Sequence, residues 1–283
     1  MSDAAVLQSG KGHKDENFPV ASVLIAPRFR APVMAFYNFV RFADDIADHE
    51  TATPDEKLRL LEDMRATLTG TSDASPEGVR LRAICAERGL TLQHGLDLLE
   101  AFRRDCTASR TADWDGLIDY CRYSAMPVGR FVLDVHGESR DLWPANDALC
   151  AALQVINHLQ DCAKDYRGLD RVYIPDDALA AAGARVEDLS APAASPALKA
   201  VIHSLAAKNA QLLAQSKPFA RGIGDTRLAL EVDLIQTLAA DLNAKLMRRD
   251  PLSQPVHHSK FDVARLFLGR LPAFTVNRLV RRA

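Results

Sequence analysis

The sequence predicts an all-α protein on three observations: apolar residues recur at three- and four-residue steps, convincing strand alternation is absent, and Pro and Gly punctuate the periodic stretches. In chain order, the first helix spans 32–49, opening at Pro32, and the second spans 54–68 between Pro54 and Gly70. Pro76 and Gly89 bracket a helix over 76–88, and a fourth runs over 91–104. A long helix over 115–137 ends at Gly137, and another over 144–168 opens at Pro144. Helices over 195–216, 224–247 and 261–282 complete the set. Residues 1–16 are polar and Gly-containing and are expected to be disordered, while "TGTSDASP" (69–76) and "AAGARVEDLSAPAASP" (181–196) are expected loops. None of these loops divides stretches of unlike composition, and no repeat of solenoid period occurs. A single all-α domain over 17–283 is therefore expected, with its site between helices.

Composition narrows the partners. With 48% apolar residues the chain can fill a sizeable core, and 35 Lys and Arg against 37 Asp and Glu leave no basic field to attract nucleic acid. Five cysteines, odd in number and without a CxxC pair, fit a reducing cytoplasm. Residues 1–16 lack the apolar core of a secretory signal, and no 18-residue apolar run exists to span a bilayer, so a soluble or peripheral protein is expected.

The chemistry concentrates on two helices. At about 100° per residue, the helix over 32–49 brings Tyr37, Arg41, Asp44 and Asp48 within an arc of roughly 60°, with Asp45 beside them. Phe36, Phe39, Phe42, Ala43, Ile46 and Ala47 cover its other side. On the helix over 144–168, Gln154, Asn157, Asp161 and Asp165 fall within about 80°, with Leu149, Leu153, Ile156, Leu159 and Ala163 facing away. A solvated amphipathic face would explain either stripe alone. Like charges four residues apart, however, cost about 0.2–0.5 kcal/mol each time, and a merely solvated face has no need of Gln154 and Asn157. Mg²⁺ takes oxygen ligands from a few carboxylates plus substrate phosphates, and two such stripes suit a diphosphate held through divalent ions. Arg41 presents a guanidinium fork matched to phosphate oxygens. His158 and Cys162 border the second stripe but do not supply the three or four ligands that zinc requires, and His257-His258 is expected to be a solvated loop.

On these residues the chain resembles the squalene/phytoene synthase family. "RFADDIAD" (41–48) is similar to the family's first Asp-rich motif, and "QVINHLQDCAKD" (154–165) matches its second, QxxNxxxDxxxD, at each specified position. "RVYIP" (171–175) follows at the expected distance, and "YCRYSAMPVG" (120–129) resembles a Tyr-led helix segment, from which Ser124, Met126 and Pro127 depart. "ENFPVAS" (16–22), followed by "PRFRAP", resembles the bacterial hopanoid-pathway branch. Gln160 stands where many members carry Arg, and with Met126-Pro127 it suggests an altered diphosphate shell.

The resemblance implies an isoprenoid (terpenoid) synthase fold, a helical bundle with a central cavity across which the two Asp-rich helices face each other. It implies Mg²⁺-dependent conversion of presqualene diphosphate to hydroxysqualene by ionisation, carbocation rearrangement and water capture, with NADPH not required. Head-to-head condensation of two farnesyl diphosphates to presqualene diphosphate or squalene is the alternative, and a non-catalytic scaffold the more remote one. Implied metal ligands are Asp44, Asp48, Asn157, Asp161 and Asp165. The four aspartates would act in catalysis with Tyr37 and Tyr120, and Phe18, Ser22, Arg41, Asp45, Gln154, Asn157 and Tyr173 would contact substrate. No Gly-rich dinucleotide fingerprint follows a strand, in line with water capture. The C-terminal stretch from Lys260 carries Arg265, Arg270, Arg278, Arg281 and Arg282 against Asp262, with Leu and Phe interleaved, a composition suited to peripheral contact with an anionic membrane. A last helix packed on the domain is the competing expectation, and nothing in the sequence sets the oligomeric state.

Overall fold

A computed structural model describes residues 24–282. The helices are α1 (Pro27–Ala47), α2 (Pro54–Thr69), α3 (Pro76–Arg88), α4 (Gln93–Asp105), α5 (Trp114–Ser124), α6 (Met126–His136), α7 (Trp143–Leu169), α8 (Asp176–Ala182), α9 (Pro196–Ser216), α10 (Phe219–Gly222), α11 (Thr226–Leu246) and α12 (Lys260–Arg282). Among the described residues there is no strand, only one isolated bridge between Arg110 and Val172. No helix among them is long and apolar enough to cross a membrane.

Local chemistry sets most boundaries. Thr53 accepts from the Glu56 amide while the Glu56 side chain accepts from the Thr53 amide, a reciprocal cap that starts α2. The side chains of Ser75, Ser195 and Asp225 accept from first-turn amides of α3, α9 and α11. Gly70, at φ 91°, ends α2 in a conformation that a side chain would disfavour.

Two predicted boundaries are corrected. The first helix begins at Pro27, with Pro32 inside it. A proline at a first helical position loses no intrahelical bond, whereas Pro32 leaves one carbonyl of α1 without its donor. The buried position of Pro32 and its neighbours Val33 and Phe36 offsets that loss. The predicted helix over 115–137 is two helices, because Pro127 has no amide to continue the ladder and Ala125 takes the non-helical geometry between α5 and α6. Within the predicted loop over 181–196, α8 extends to Ala182 and a 3₁₀ turn spans Val186–Ser190.

The chain divides into two compact units, the division falling within α5. One comprises the chain up to Ser109 together with Arg122–Gly137, and the other Arg110–Cys121 together with Glu138 onward. In the first, Phe36, Phe39, Phe42 and Ile46 of α1 pack with Leu61, Met64 and Leu68 of α2, Leu81 of α3, Leu98 of α4 and Phe131 of α6. The Phe36 and Phe131 rings stack at 4.0 Å, and a side-chain carbon at Gly95 would come within 2.9 Å of Leu68, so α4 approaches α2 closely. Burial of each such side chain contributes about 1.5–3 kcal/mol. The apolar side predicted for α1 is thus the centre of this core, and packing it turns the acidic stripe outward.

In the second unit α7, α9 and α11 pack on one another through Val155, Ile156, Ile202, Leu205, Leu238 and Leu242. A polar tie runs through the middle of this core. Asn209 donates to the Ala152 carbonyl (3.2 Å) and to Asn243 Oδ1 (3.0 Å), and Asn243 donates to the Ala206 carbonyl (2.9 Å). These bonds tie the three helices in one register, while Asn209 Oδ1 is buried without a hydrogen-bond partner among the described residues.

Candidate active site

On α1, Tyr37, Arg41, Asp44 and Asp48 are half-buried along one face, and Asp45 is buried beside them. Arg41 reaches both neighbours, Nη1 to Asp44 at 2.6 Å and Nη2 to Asp45 at 2.8 Å. The guanidinium therefore relieves repulsion that three carboxylates at the end of one helix would otherwise generate. These carboxylates also sit at the C-terminus of α1, where the peptide dipoles add negative potential and the last turn holds no basic residue. Lys57 Nζ donates to the Ala47 carbonyl (3.0 Å), supplying a cation from α2 at that end. Such an end attracts cations.

On α7, Gln154, Asn157, Asp161 and Asp165 are half-buried, and Val155, Ile156, Leu159 and Cys162 behind them are buried. The aspartates again lie in the C-terminal turns. Asp170, at φ 51°, closes the helix, and its side chain and carbonyl both accept from Arg110, at 2.7 and 2.5 Å. The amides of Asp176 and Asp177 bond the carbonyls of Thr111 and Ala112, at 2.9 and 3.1 Å. Segment 110–112 is thus strapped along 170–177, with Val172 and Ile174 buried and Tyr173 held between them.

This strap brings together residues that are distant in sequence. The Tyr173 ring stacks on His158 at 3.7 Å, and Tyr120 lies 5.2 Å from Tyr173 and 5.9 Å from His158. The two tyrosine hydroxyls are 3.5 Å apart, and the Gln154 amide nitrogen lies 3.2 Å from His158 Nε2. Burial pushes the His158 imidazole down to about 3, so at neutral pH the ring is uncharged and Nε2 accepts from Gln154. His158 was visible in the sequence only as a border residue of the stripe. Its spacing of four from Gln154 was the available signal.

Gln160, where the resemblance suggests an altered diphosphate shell, is buried; its amide donates to the Val256 carbonyl and approaches His257 Nδ1 (3.5 Å), so it ties α7 to the segment before α12. One expectation is corrected. His258 is not solvated: its ring contacts Asp241 at 2.9 Å, and burial lowers its pKa. Phe18 and Ser22 lie outside the described residues.

No cluster of three or more metal-ligating side chains is preassembled among the described residues. Each acidic face supplies two carboxylates one turn apart, with the Asn157 amide added on α7. An oxygen-only donor set that falls short of a full shell fits Mg²⁺, which retains waters and takes phosphate oxygens from substrate. It does not fit zinc.

The family model described as squalene/phytoene synthase matches residues 11–262. The chain belongs to the squalene/phytoene synthase family. Within that family it is 56% identical over 92% of its length to the hydroxysqualene synthase of Zymomonas mobilis, covering 88% of that protein. It is 54% identical over 98% of its length to that of Rhodopseudomonas palustris, covering 95% of it. To that of Sinorhizobium fredii it is 49% identical over its full length, covering 96% of the relative. The squalene synthase HpnC from Alicyclobacillus acidocaldarius superposes with a TM-score of 0.73 at 29% identity, covering 89% of this chain and 94% of that one. A dehydrosqualene synthase superposes at 0.80 with 20% identity, covering 97% of each chain, a likeness of fold. The all-α terpenoid-synthase fold is that of the family, and the chain is an isoprenoid enzyme.

Proposed function

We propose that this enzyme converts presqualene diphosphate to hydroxysqualene in the squalene/hopanoid pathway. The observation that carries the choice of reaction is the 49–56% identity, over 92–100% of the chain, to three proteins named hydroxysqualene synthase. Supporting it are the two acidic helix ends, built alike on α1 and α7.

In this reading both ends serve one diphosphate. Asp44 and Asp48 on α1 and Asn157, Asp161 and Asp165 on α7 would hold Mg²⁺. Held by these residues, Mg²⁺ would supply positive charge against that building on the leaving oxygen as the carbon–oxygen bond breaks with its electron pair going to diphosphate. Arg41 then has an alternative to Asp44: its fork turns to a phosphate oxygen while Asp45 keeps it on the face. Gln154 and Tyr173 border the substrate, and Tyr37 and Tyr120 offer ring faces to the carbocation. Water captures the rearranged cation and releases one proton, so the reaction needs no hydride donor such as NADPH. The enzyme works in the cytoplasm, where its basic C-terminal segment meets the inner face of the membrane.

The test is incubation of purified protein with Mg²⁺ and presqualene diphosphate in H₂¹⁸O, without NADPH, followed by mass spectrometry. Hydroxysqualene carrying ¹⁸O is expected. Squalene formed only with NADPH, or C30 product from farnesyl diphosphate alone, would assign the chain to head-to-head condensation. No turnover of either substrate would point to a scaffold.

A further inference from the structure

α12 has two unlike faces. Inward, Arg270 grips Asp233 of α11 with both arms of its guanidinium, Nε at 2.7 Å and Nη2 at 2.8 Å. At its start, Ser259 and Asp262 cap each other reciprocally, Ser259 N to Asp262 Oδ2 at 3.0 Å and Asp262 N to Ser259 Oγ at 3.1 Å. The Arg270–Asp233 pair therefore sets which side of α12 is turned to α11, and with it the face shown to solvent.

That outward face is apolar. Phe261, Leu268 and Val276 are 75%, 65% and 58% exposed, and they are the three most exposed large hydrophobics among the described residues. Steps of seven and eight residues put them within about 80° of arc. Arg265 is exposed in the same arc and Lys260 flanks it, and neither makes an ion pair among the described residues. The sequence continues with Arg278, Arg281 and Arg282. Of the charges on α12, Arg270 is taken up by Asp233 and Asp262 by its cap and by Lys245. Lys260 and Arg265 are thus left for an outside partner.

Apolar residues on one stripe with flanking cations match a surface that is apolar within and anionic at its rim, the chemistry of an acidic phospholipid bilayer. A second copy of the chain fits poorly, because a two-fold contact uses the same patch twice and would bring two faces carrying Arg265 and Lys260 together with no acid on the patch to answer them. We propose that the outward face of α12, centred on Phe261, Leu268 and Val276, seats in the headgroup–acyl boundary of an anionic bilayer. This rests on the membrane contact of the preceding reading and assigns it a face and a lipid charge.

The test is flotation of the full chain with vesicles of phosphatidylcholine alone and with phosphatidylglycerol added. Wild type is expected to float with the anionic vesicles, and F261S/L268S to lose about tenfold in partitioning with its helical content unchanged by circular dichroism. Arg265→Glu, a second exposed change, should weaken binding less and chiefly at low salt. Failure of wild type to bind either vesicle overturns membrane contact altogether. Equal binding by wild type and F261S/L268S overturns only the assignment of this face. A lipid-free dimer in sedimentation velocity that F261S/L268S dissolves makes the face a self-interface and overturns the proposal.

Discussion

The acidic ends of α1 and α7 carry the same pair of carboxylates one turn apart, yet they are balanced differently. On α1 the charge is answered within the helix, since Arg41 bridges Asp44 and Asp45. On α7, Asp161 has no ion pair among the described residues, and the ground behind the stripe is an uncharged stack of His158, Tyr173 and Tyr120 topped by Gln154. One end thus brings its own counter-ion and can exchange it for a ligand. On the other, Asp161 depends on the ligand for its counter-charge. Arg41 should therefore contribute to stability as well as function, and Asp161 to function almost alone.

The largest expected effect tests the α7 end. Asp161→Asn should lower turnover of presqualene diphosphate by about 10²–10³ or more while the thermal melting midpoint stays put, because no ion pair is lost. Retained turnover would remove Asp161 from the metal shell. Next, Arg41→Ala should cost about 2 kcal/mol in urea unfolding, since buried Asp45 loses its partner, and should lower turnover as well. Mg²⁺ should restore more stability to Arg41→Ala than to wild type, as the metal replaces the missing cation. Equal Mg²⁺ responses would break the contrast between the two ends.

A smaller effect is expected at His158. His158→Phe keeps a ring against Tyr173 but removes the acceptor for Gln154, so turnover should fall about tenfold with little change in the melting midpoint. Smallest near neutral pH, and growing as acid is added, is a pH effect on unfolding. Burial holds the folded His158 near 3 against 6.5 for the free side chain, so the unfolded state takes up a proton first. Stability is full above about 6.5 and declines as pH falls toward 3, by at most about 1.4 kcal/mol per pH unit from this group. His158→Phe should decline less steeply over that window in parallel urea titrations of metal-free protein.

Much of this was legible in the sequence, because helical period and acidic spacing are both local. The predicted apolar sides of α1 and α7 are largely those that pack, and the stripes opposite them are half-buried. Less legible were features decided by distant partners. Pro32 opened a predicted helix and Pro127 stood inside another without being read as a break, since a proline's effect depends on whether packing repays the lost bond. Gln160 is drawn to Val256, ninety-six residues on, a pairing that no local pattern signals. His158 became significant only when the 110–112 strap delivered Tyr173 onto its ring. Arg41 was assigned to phosphate, and its hold on Asp44 and Asp45 adds a second role that its spacing of three and four residues permits.

That both acidic ends serve one diphosphate through divalent cations is tested most directly by calorimetry of inorganic pyrophosphate binding with and without Mg²⁺. The proteins compared are wild type, Asp44→Asn/Asp48→Asn and Asp161→Asn/Asp165→Asn. Wild type should bind pyrophosphate only with Mg²⁺, and each double variant should lose that binding although the other end is intact. Full Mg²⁺-dependent binding by either variant would contradict a shared site.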